Sequence, residues 1–352
     1  MIISRTPYRI SFFGGGTDYP DWYLKYGGQV LSTTIDKYLY ISCRYLPPFF
    51  EHRLRLVYSV LEACQHSSEL DHPSAREVLK FLDLDNGLEI HYDGDLPGRS
   101  GLGSSSSFTV GLLNALYAYK GQMVSNHRLA TESIHIEQDI IKETVGSQDQ
   151  VNAAYGGMNH IQFRTSGDIV VNPITLSHKR IKTLDENLML FYTGIMRTAE
   201  TVAKSYVENI HEKEEQLLRI HAMVDKGIQI LKSGDLHNFG LLLNEVWQEK
   251  RSLSKLVSNS YVDEIYAAAL SAGALGGKLS GAGGGGFLLL YVPAERQPDV
   301  KKRFSHLLHV PFNFELNGSQ IIFYDQHKEY KDEEWSQAEN APTPFVELKD
   351  IE

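Results

Sequence analysis

Leu96-Pro97-Gly98-Arg99-Ser100-Gly101-Leu102-Gly103-Ser104-Ser105-Ser106-Ser107 runs without a break into Phe108-Thr109-Val110-Gly111-Leu112-Leu113-Asn114-Ala115-Leu116. The second stretch reads as an apolar helix that ends near Lys120-Gly121, where glycine serves as a C-cap. Three glycines in six residues let the backbone approach a ligand with no Cβ in the way. Hydroxyls follow at the helix start, where free N–H groups and the positive end of the dipole favour an anion. This is the build of a phosphate cradle. A flexible Gly/Ser linker does not fit, because strand-like residues precede the stretch and a helix follows it directly. Serines at a helix start also act as caps, so not all four need touch a ligand.

The rest of the chain sets bounds on what that cradle serves. The 352 residues suffice for two ordinary domains and a sizeable core. With 42% hydrophobic and 22% charged residues the composition is globular. A formal net charge of -10 argues against a broad nucleic-acid surface. Cys43 and Cys64 support no disulfide framework, and neither lies in a CxxC, so a thiolate metal site is not expected. No HExxH and no GxSxG occurs. The N-terminal residues lack the apolar run of a signal peptide, and Phe287-Leu288-Leu289-Leu290-Tyr291-Val292 is too short to span a bilayer. A cytoplasmic protein with no membrane association is expected.

Residues before about 185 mix strand-like runs with glycine turns. Gln29 to Tyr45 and Leu88 to Tyr92 read as strands, and Ser125 opens a second helix expected to end at Gly146. Thr198 to Lys232 reads as one long helix, with further helices at Leu236 to Leu256 and Val262 to Ala272. Gly273 to Gly286 is a second glycine-rich turn before the Phe287 strand, and Gln320 to Tyr324 is a late strand. Three units are expected: residues 1–180, residues 181–328, and a polar tail over 329–352.

Three further constellations carry chemistry. In Arg5-Thr6-Pro7-Tyr8-Arg9-Ile10-Ser11-Phe12-Phe13-Gly14-Gly15-Gly16-Thr17-Asp18-Tyr19 a strand ends in three glycines and a Thr-Asp pair. A helix cap would explain Asp18 alone. Three glycines favour a site, with Arg9 pointing in and Asp18 accepting from neighbouring hydroxyls, as a sugar offers. Glu137 precedes the Gly146 break by ~13 Å of helix, and Asp149 follows it. Each alone reads as a surface carboxylate. Taken with the cradle they are the natural Mg²⁺ ligand and general base. Finally, Gly281-Ala282-Gly283-Gly284-Gly285-Gly286 fits GxGxxG but follows a helix and precedes a strand, the reverse of a dinucleotide site. Leu279 stands where a Walker loop needs Ser or Thr. The run is expected to pack against a ligand or against the first cradle.

These constellations, in this order, resemble the GHMP kinase superfamily over residues 1–325. Gly14 to Tyr19 and Val145 to Gln150 are most similar to its sugar anomeric kinases, the heptose 7-phosphate kinases and fucokinases among them. The resemblance implies an α+β, two-domain fold, with a ribosomal-protein-like N-terminal domain and a ferredoxin-like C-terminal domain. It implies ATP and Mg²⁺ as cofactors, and ATP on Pro97, Gly98, Arg99, Ser100, Gly101, Leu102, Gly103, Ser104, Ser105 and Ser106. It implies Mg²⁺ on Ser105 and Glu137, and catalysis by Asp149 beside Arg9. Substrate would meet Gly16, Thr17, Asp18, Tyr19, Arg197, Lys278, Gly283 and Gly284. The implied reaction is phosphorylation of the anomeric hydroxyl of D-glycero-D-manno-heptose 7-phosphate to the 1,7-bisphosphate, towards nucleotide-activated heptose and surface polysaccharide. A neutral-sugar kinase and a non-catalytic ATP and sugar sensor are the alternatives. Lys278 is the preferred clamp for the substrate phosphate, with Arg197, Lys250 and Arg251 as further candidates. The partners implied are a sugar or sugar phosphate and ATP, with no nucleic acid and no membrane; a homodimer is allowed.

Overall fold

The computed structural model describes residues 1–98, 100–196 and 199–325, together with Ser336. Arg99, Arg197 and nearly all of the expected tail therefore lie outside the described residues.

The first half contains β1 (Ile2–Phe13), α1 (Pro20–Tyr26), β2 (Gly28–Tyr45), β3 (Leu54–Val57), β4 (Leu61–Cys64), α2 (Pro73–Phe81) and β5 (Leu88–Gly94). It continues with α3 (Ser104–Tyr119), α4 (Asn126–Ile134), α5 (Gln148–Tyr155), β6 (Met158–Phe163) and β7 (Ile169–Pro173). Then come α6 (His178–Glu186), β8 (Leu188–Tyr192), α7 (Ala199–Val207), α8 (Glu214–Ser233), α9 (His237–Leu253) and α10 (Ser260–Ser271). The chain closes with β9 (Gly276–Leu279), β10 (Phe287–Tyr291), α11 (Gln297–Arg303), β11 (Leu308–His309), β12 (Phe314–Glu315) and β13 (Gln320–Tyr324).

Two sheets result. One has nine strands along the path β13-β1-β2-β5-β3-β4, with β12, β6 and β7 attached through β2; the other has four, in the order β11-β8-β10-β9. β2 organises the first sheet because it is long. Its start, Gly28 to Thr33, pairs with β6, and its end, Leu39 to Tyr45, pairs with β5. β12 and β13 come from the stretch expected in the second unit, yet they pair with β2 and β1. A boundary at residue 180 therefore does not separate the strands of the two sheets. Paired backbone on an open edge of β1 satisfies N–H and C=O groups that would otherwise face water.

The β1–β2 ladder slips between Pro7 and Tyr8, which pair with Tyr38 and Ile35 and leave Asp36 and Lys37 of β2 outside the register. Proline has no N–H for a ladder bond, and such bulges re-aim the residues that follow. Arg9 follows. From Arg5's neighbour Thr6 onward β1 is buried at every position through Phe13, which hides the alternation of a half-exposed strand. α3 lies against it so closely that a Cβ on Gly111 would meet Thr6 Oγ1 at 2.7 Å.

Several helix expectations are corrected. Ser125 does cap α4, accepting from the Arg128 N–H. The helix then widens into a π-turn over His135–Ile140 and stops well before Gly146, at Lys142 with φ 63. Thr198 to Lys232 is not one helix. Asn209, at φ -123 and ψ 37, interrupts it before a 3-10 turn and α8. Asparagine competes for backbone bonds and favours such breaks. The Gly273 to Gly286 stretch is not all turn, since β9 lies within it. Gly276 and Gly277 let that strand press on α9 and β10, where a Cβ would sit 2.1 Å from Gly240 O and 2.3 Å from Leu289 O. Among the described residues no helix is long and apolar enough to cross a membrane.

Candidate active site

The two glycine-rich turns pack on each other. A Cβ on Gly101, at φ +81, would stand 2.5 Å from Ser280 O. One on Gly281 would stand 2.6 Å from Gly101 Cα, and one on Gly286 would stand 2.2 Å from Ser100 O. The Phe287 N–H donates to Ser100 O at 3.3 Å. Of the two options for the Gly281 run, it is the cradle that its backbone meets. Gly283 and Gly284 serve this packing too: the Gly284 N–H donates to Val257 O at 2.8 Å, and a Cβ on Gly283 would stand 2.7 Å from that oxygen. Both of these expected substrate-contact glycines pack on Val257.

β1 fastens the cradle from the other side. The Arg9 N–H donates to Leu102 O at 3.0 Å, and Nη1 donates to Gly101 O at 2.7 Å. Nε and Nη2 each donate to one Asp149 oxygen at 2.6 Å. Such a fork fixes both planes and is stronger than neutral hydrogen bonds. Asp149 sits in the first turn of α5, where the helix dipole favours a carboxylate. Its Oδ2 is 3.5 Å from where a Gly103 Cβ would be. Thus Arg9, Asp149 and the cradle form one centre.

α3 starts at Gly103, which has φ 82 and supplies no side-chain cap. Its first turn therefore offers backbone donors to an anion. Pro97 and Gly98 are exposed at the lip, and Leu102 is core, so only its backbone faces the cradle. The Ser100 hydroxyl is buried and has no hydrogen-bond partner among the described residues.

Glu137 projects from the π-turn beneath α3 and is wholly buried. Its Oε2 accepts from Ser106 Oγ at 2.9 Å and from Gln150 Nε2 at 2.5 Å. The hydroxyl beside it is that of Ser106; Ser105, expected to share a cation with it, is exposed one residue earlier. Among the described residues Glu137 Oε1 has no hydrogen-bond partner. Burial pushes its pKa up to about 7, with Thr109, Ser106 and Gln150 opposing the rise. A buried carboxylate with one free oxygen beside a phosphate cradle suits a hard cation, which takes its other ligands from phosphate and water. No group of three or more His, Cys, Asp or Glu able to hold a metal exists among the described residues.

Asp18 is 1% exposed. Its Oδ1 accepts from the Gly16 N–H at 2.9 Å, and its Oδ2 from Gln148 Nε2 at 2.8 Å. Burial raises its pKa, and the nearby Asp149 charge adds to the rise. A Cβ on Gly146 would lie 2.0 Å from Asp18 Oδ2. Gly146 is thus an approach point for Asp18, not the end of a helix. Thr17 does not face a sugar: its hydroxyl donates to Gly14 O at 2.8 Å and Gln29 O at 3.0 Å. The Tyr19 hydroxyl meets that of Tyr206 from α7 at 3.4 Å, both rings buried. Neither Tyr206 nor Gln148 was legible as a site residue. One lies in a long helical pattern and the other looks like an ordinary polar residue.

The Lys278 ammonium is buried and donates to Ser11 O at 2.8 Å and Phe12 O at 3.1 Å, which ties β9 to β1 and leaves one N–H of the three. Arg251 is engaged on the helix surface by Asp263 at 2.8 Å.

Comparisons with known proteins give the family of the chain. Residues 56–157 match the family model for the GHMP kinases N terminal domain, and residues 228–308 match that for GHMP kinases C terminal, together just over half of the chain. A D-glycero-alpha-D-manno-heptose 7-phosphate kinase of Campylobacter jejuni is 28% identical over 318 residues, covering 86% of this chain and 92% of that protein. A galactokinase of Pyrococcus furiosus is 25% identical over 342 residues, covering 85% and 91%. A solved D-glycero-D-manno-heptose 1-phosphate kinase from Bacteriodes thetaiotaomicron superposes with a TM-score of 0.75 at 22% identity, covering 93% of this chain and 100% of that one. With both family models in order on a two-domain GHMP kinase fold, this chain belongs to the GHMP kinase family and is a phosphotransferase with an alcohol group as acceptor.

Proposed function

We propose that the protein uses ATP to phosphorylate the anomeric hydroxyl of a sugar, with a heptose 7-phosphate as the acceptor. The observation that carries this reading is the Arg9–Asp149 fork at the mouth of the cradle, with Asp18 and Tyr19 buried beside it. ATP phosphates would lie on the backbone from Gly98 to Ser106. Asp149 would orient the acceptor hydroxyl and take its proton. In a loose phosphoryl-transfer transition state this is largely a positioning task. Arg9 holds Asp149 in place and adds positive charge next to the transferring group. The choice of heptose 7-phosphate rests on the likeness to the Campylobacter jejuni kinase.

A neutral sugar is the second reading, and one observation favours it. A cavity of about 480 Å³ next to Tyr19 is lined by Asp21, Asp139, Glu143 and Glu208. That lining repels a dianion, and Lys278 is already engaged. A coupled ADP-release assay with heptose 7-phosphate, mannose, fucose and galactose decides between them. Heptose 7-phosphate is expected to have the highest kcat/KM. A neutral sugar ahead of it by more than tenfold would replace the acceptor, and no acceptor-dependent ADP release would overturn the kinase assignment to sugars.

Glu137 and either Ser105 or Ser106 would hold Mg²⁺, which when bound offsets charge on the β- and γ-phosphates. Glu137→Gln should therefore raise the Mg²⁺ needed for half-maximal turnover at least tenfold. The same change should stabilise the free protein. The folded carboxyl keeps a proton from its ordinary 4.5 up to about 7, whereas the unfolded chain has released it. Stability is thus lost as pH rises through that window. Melting of both proteins between pH 5 and pH 8 should open a gap in favour of the variant, on the order of 3 kcal/mol. A gap that closes over that range would refute the buried charge.

A further inference from the structure

Lys250 lies in α9, a position that reads in sequence either as a solvated helix face or as a candidate contact for a substrate phosphate. The structure buries it to 6% exposure. Its ammonium donates to the Gly281 carbonyl, the one acceptor it reaches among the described residues. An ammonium has three N–H donors, so two remain for something else.

The surroundings say what that is. Gly281 rests on Gly101, and Gly101 O accepts from Arg9 Nη1 at 2.7 Å. Lys250 is thereby linked through two carbonyls to the Arg9–Asp149 fork. The charged groups that face it are Arg9 from β1, Asp18 from the turn after β1, and Asp149 from α5. Lys278 from β9 completes the group. Three basic groups surround two carboxylates, and burial holds both Asp18 and Lys278 towards their neutral forms, which leaves Arg9 and Lys250 opposite Asp149. A buried excess of positive charge is costly unless an anion completes it. Gly281 packs on the cradle at Gly101, so on the kinase reading the anion that meets this charge is a phosphate of the nucleotide.

We propose that Lys250 is a positioning residue for phosphoryl transfer, which locks the Gly281 turn onto the cradle and supplies the positive charge that selects a nucleotide triphosphate over a diphosphate. This rests on the kinase reading of the site but not on the identity of the acceptor. Burial lowers the Lys250 pKa to about 8, with Arg9 lowering it further and Asp18 and Asp149 opposing. The charge is therefore present below about pH 8 and lost above it.

The test uses the full chain as wild type, Lys250→Met and Lys250→Arg. Calorimetric titration with ATP and with ADP, Mg²⁺ present, reads the preference for the terminal phosphate. Lys250→Met is expected to weaken ATP about tenfold while ADP binding stays within about threefold. A purely structural role would weaken both alike. With an acceptor from the sugar panel, kcat/KM for ATP should fall about 10²-fold, the scale of losing one preorganised donor to a charged transition state. The wild-type ATP preference should decline between pH 7 and pH 9, and the Lys250→Met protein should show no such decline. Equal losses of ATP and ADP, or wild-type kcat/KM in the variant, would overturn the proposal. If no sugar is turned over, the acceptor reading fails by itself, and the ATP against ADP comparison still decides the role of Lys250. Should Lys250→Met not fold, Lys250→Arg decides: it must keep the ATP preference at pH 9 where wild type loses it.

Discussion

Asp149→Asn is expected to lower kcat by about 10²–10⁴, the range for loss of a well-placed acid-base group. Asparagine keeps the shape and one acceptor oxygen but cannot take a proton from the acceptor hydroxyl. It also leaves Arg9, itself 4% exposed, without its counter-charge. Removing one partner of a buried ion pair costs about 3–5 kcal/mol when nothing replaces it. Some of that loss is spared here because Arg9 retains Gly101 O and the remaining Asn oxygen. The measurement therefore has two arms. ATP binding by calorimetry should persist, because the cradle donors come from α3 and not from α5. Turnover should collapse. A variant that binds ATP and retains a tenth of wild-type activity would remove Asp149 from the chemistry.

Gly281→Ala should disrupt the contact between the two glycine-rich turns. Its backbone stands at φ +68, where a Cβ costs about 1–2 kcal/mol in any context. The added atom would lie 2.6 Å from Gly101 Cα and 2.8 Å from Gly101 O. Both are backbone atoms of the opposing turn, so no side chain can rotate away. Overpacking of this kind costs about 1–3 kcal/mol further. A fall in Tm of about 5 °C or more is expected. Turnover should fall as well, because the carbonyl pushed aside is the one that holds Arg9. Gly98→Ala is the internal control. Nothing lies within 4 Å of a Cβ there, so it should melt with wild type. If Gly281→Ala melts with wild type too, the two turns are not in contact.

Much of this centre is visible in the residues themselves. Glycine runs followed by hydroxyls and an apolar helix predict a phosphate cradle, since few other uses need backbone so bare at a helix start. α3 begins at Ser104 as that reading requires. Arg9 and Asp149 stand out as charged residues next to glycine breaks, and the fold brings them together at 2.6 Å. Other local patterns have a second use in the structure. Lys278 reads as a phosphate ligand because glycines flank it, and those glycines serve the approach of β9 to α9 and β10. Thr17 looks like a sugar ligand because it precedes Asp18, yet the nearest acceptors are the carbonyls of Gly14 and Gln29. In each case a local pattern shows that something comes close and does not show what.

The sequence by itself carried the glycine-rich turn before an apolar helix, the charged residues Arg9 and Asp149 beside glycine breaks, and the resemblance to the GHMP kinases, because each depends on residue types in short stretches. Only the tertiary structure decided where the side chains point. The slip in the β1–β2 ladder precedes Arg9, Tyr206 of α7 reaches Tyr19, and β12 and β13 return to pair with β2 and β1. It alone turned Lys278 inward and placed Lys250 behind the fork. Contacts between residues hundreds of positions apart depend on burial and register, which no local window encodes.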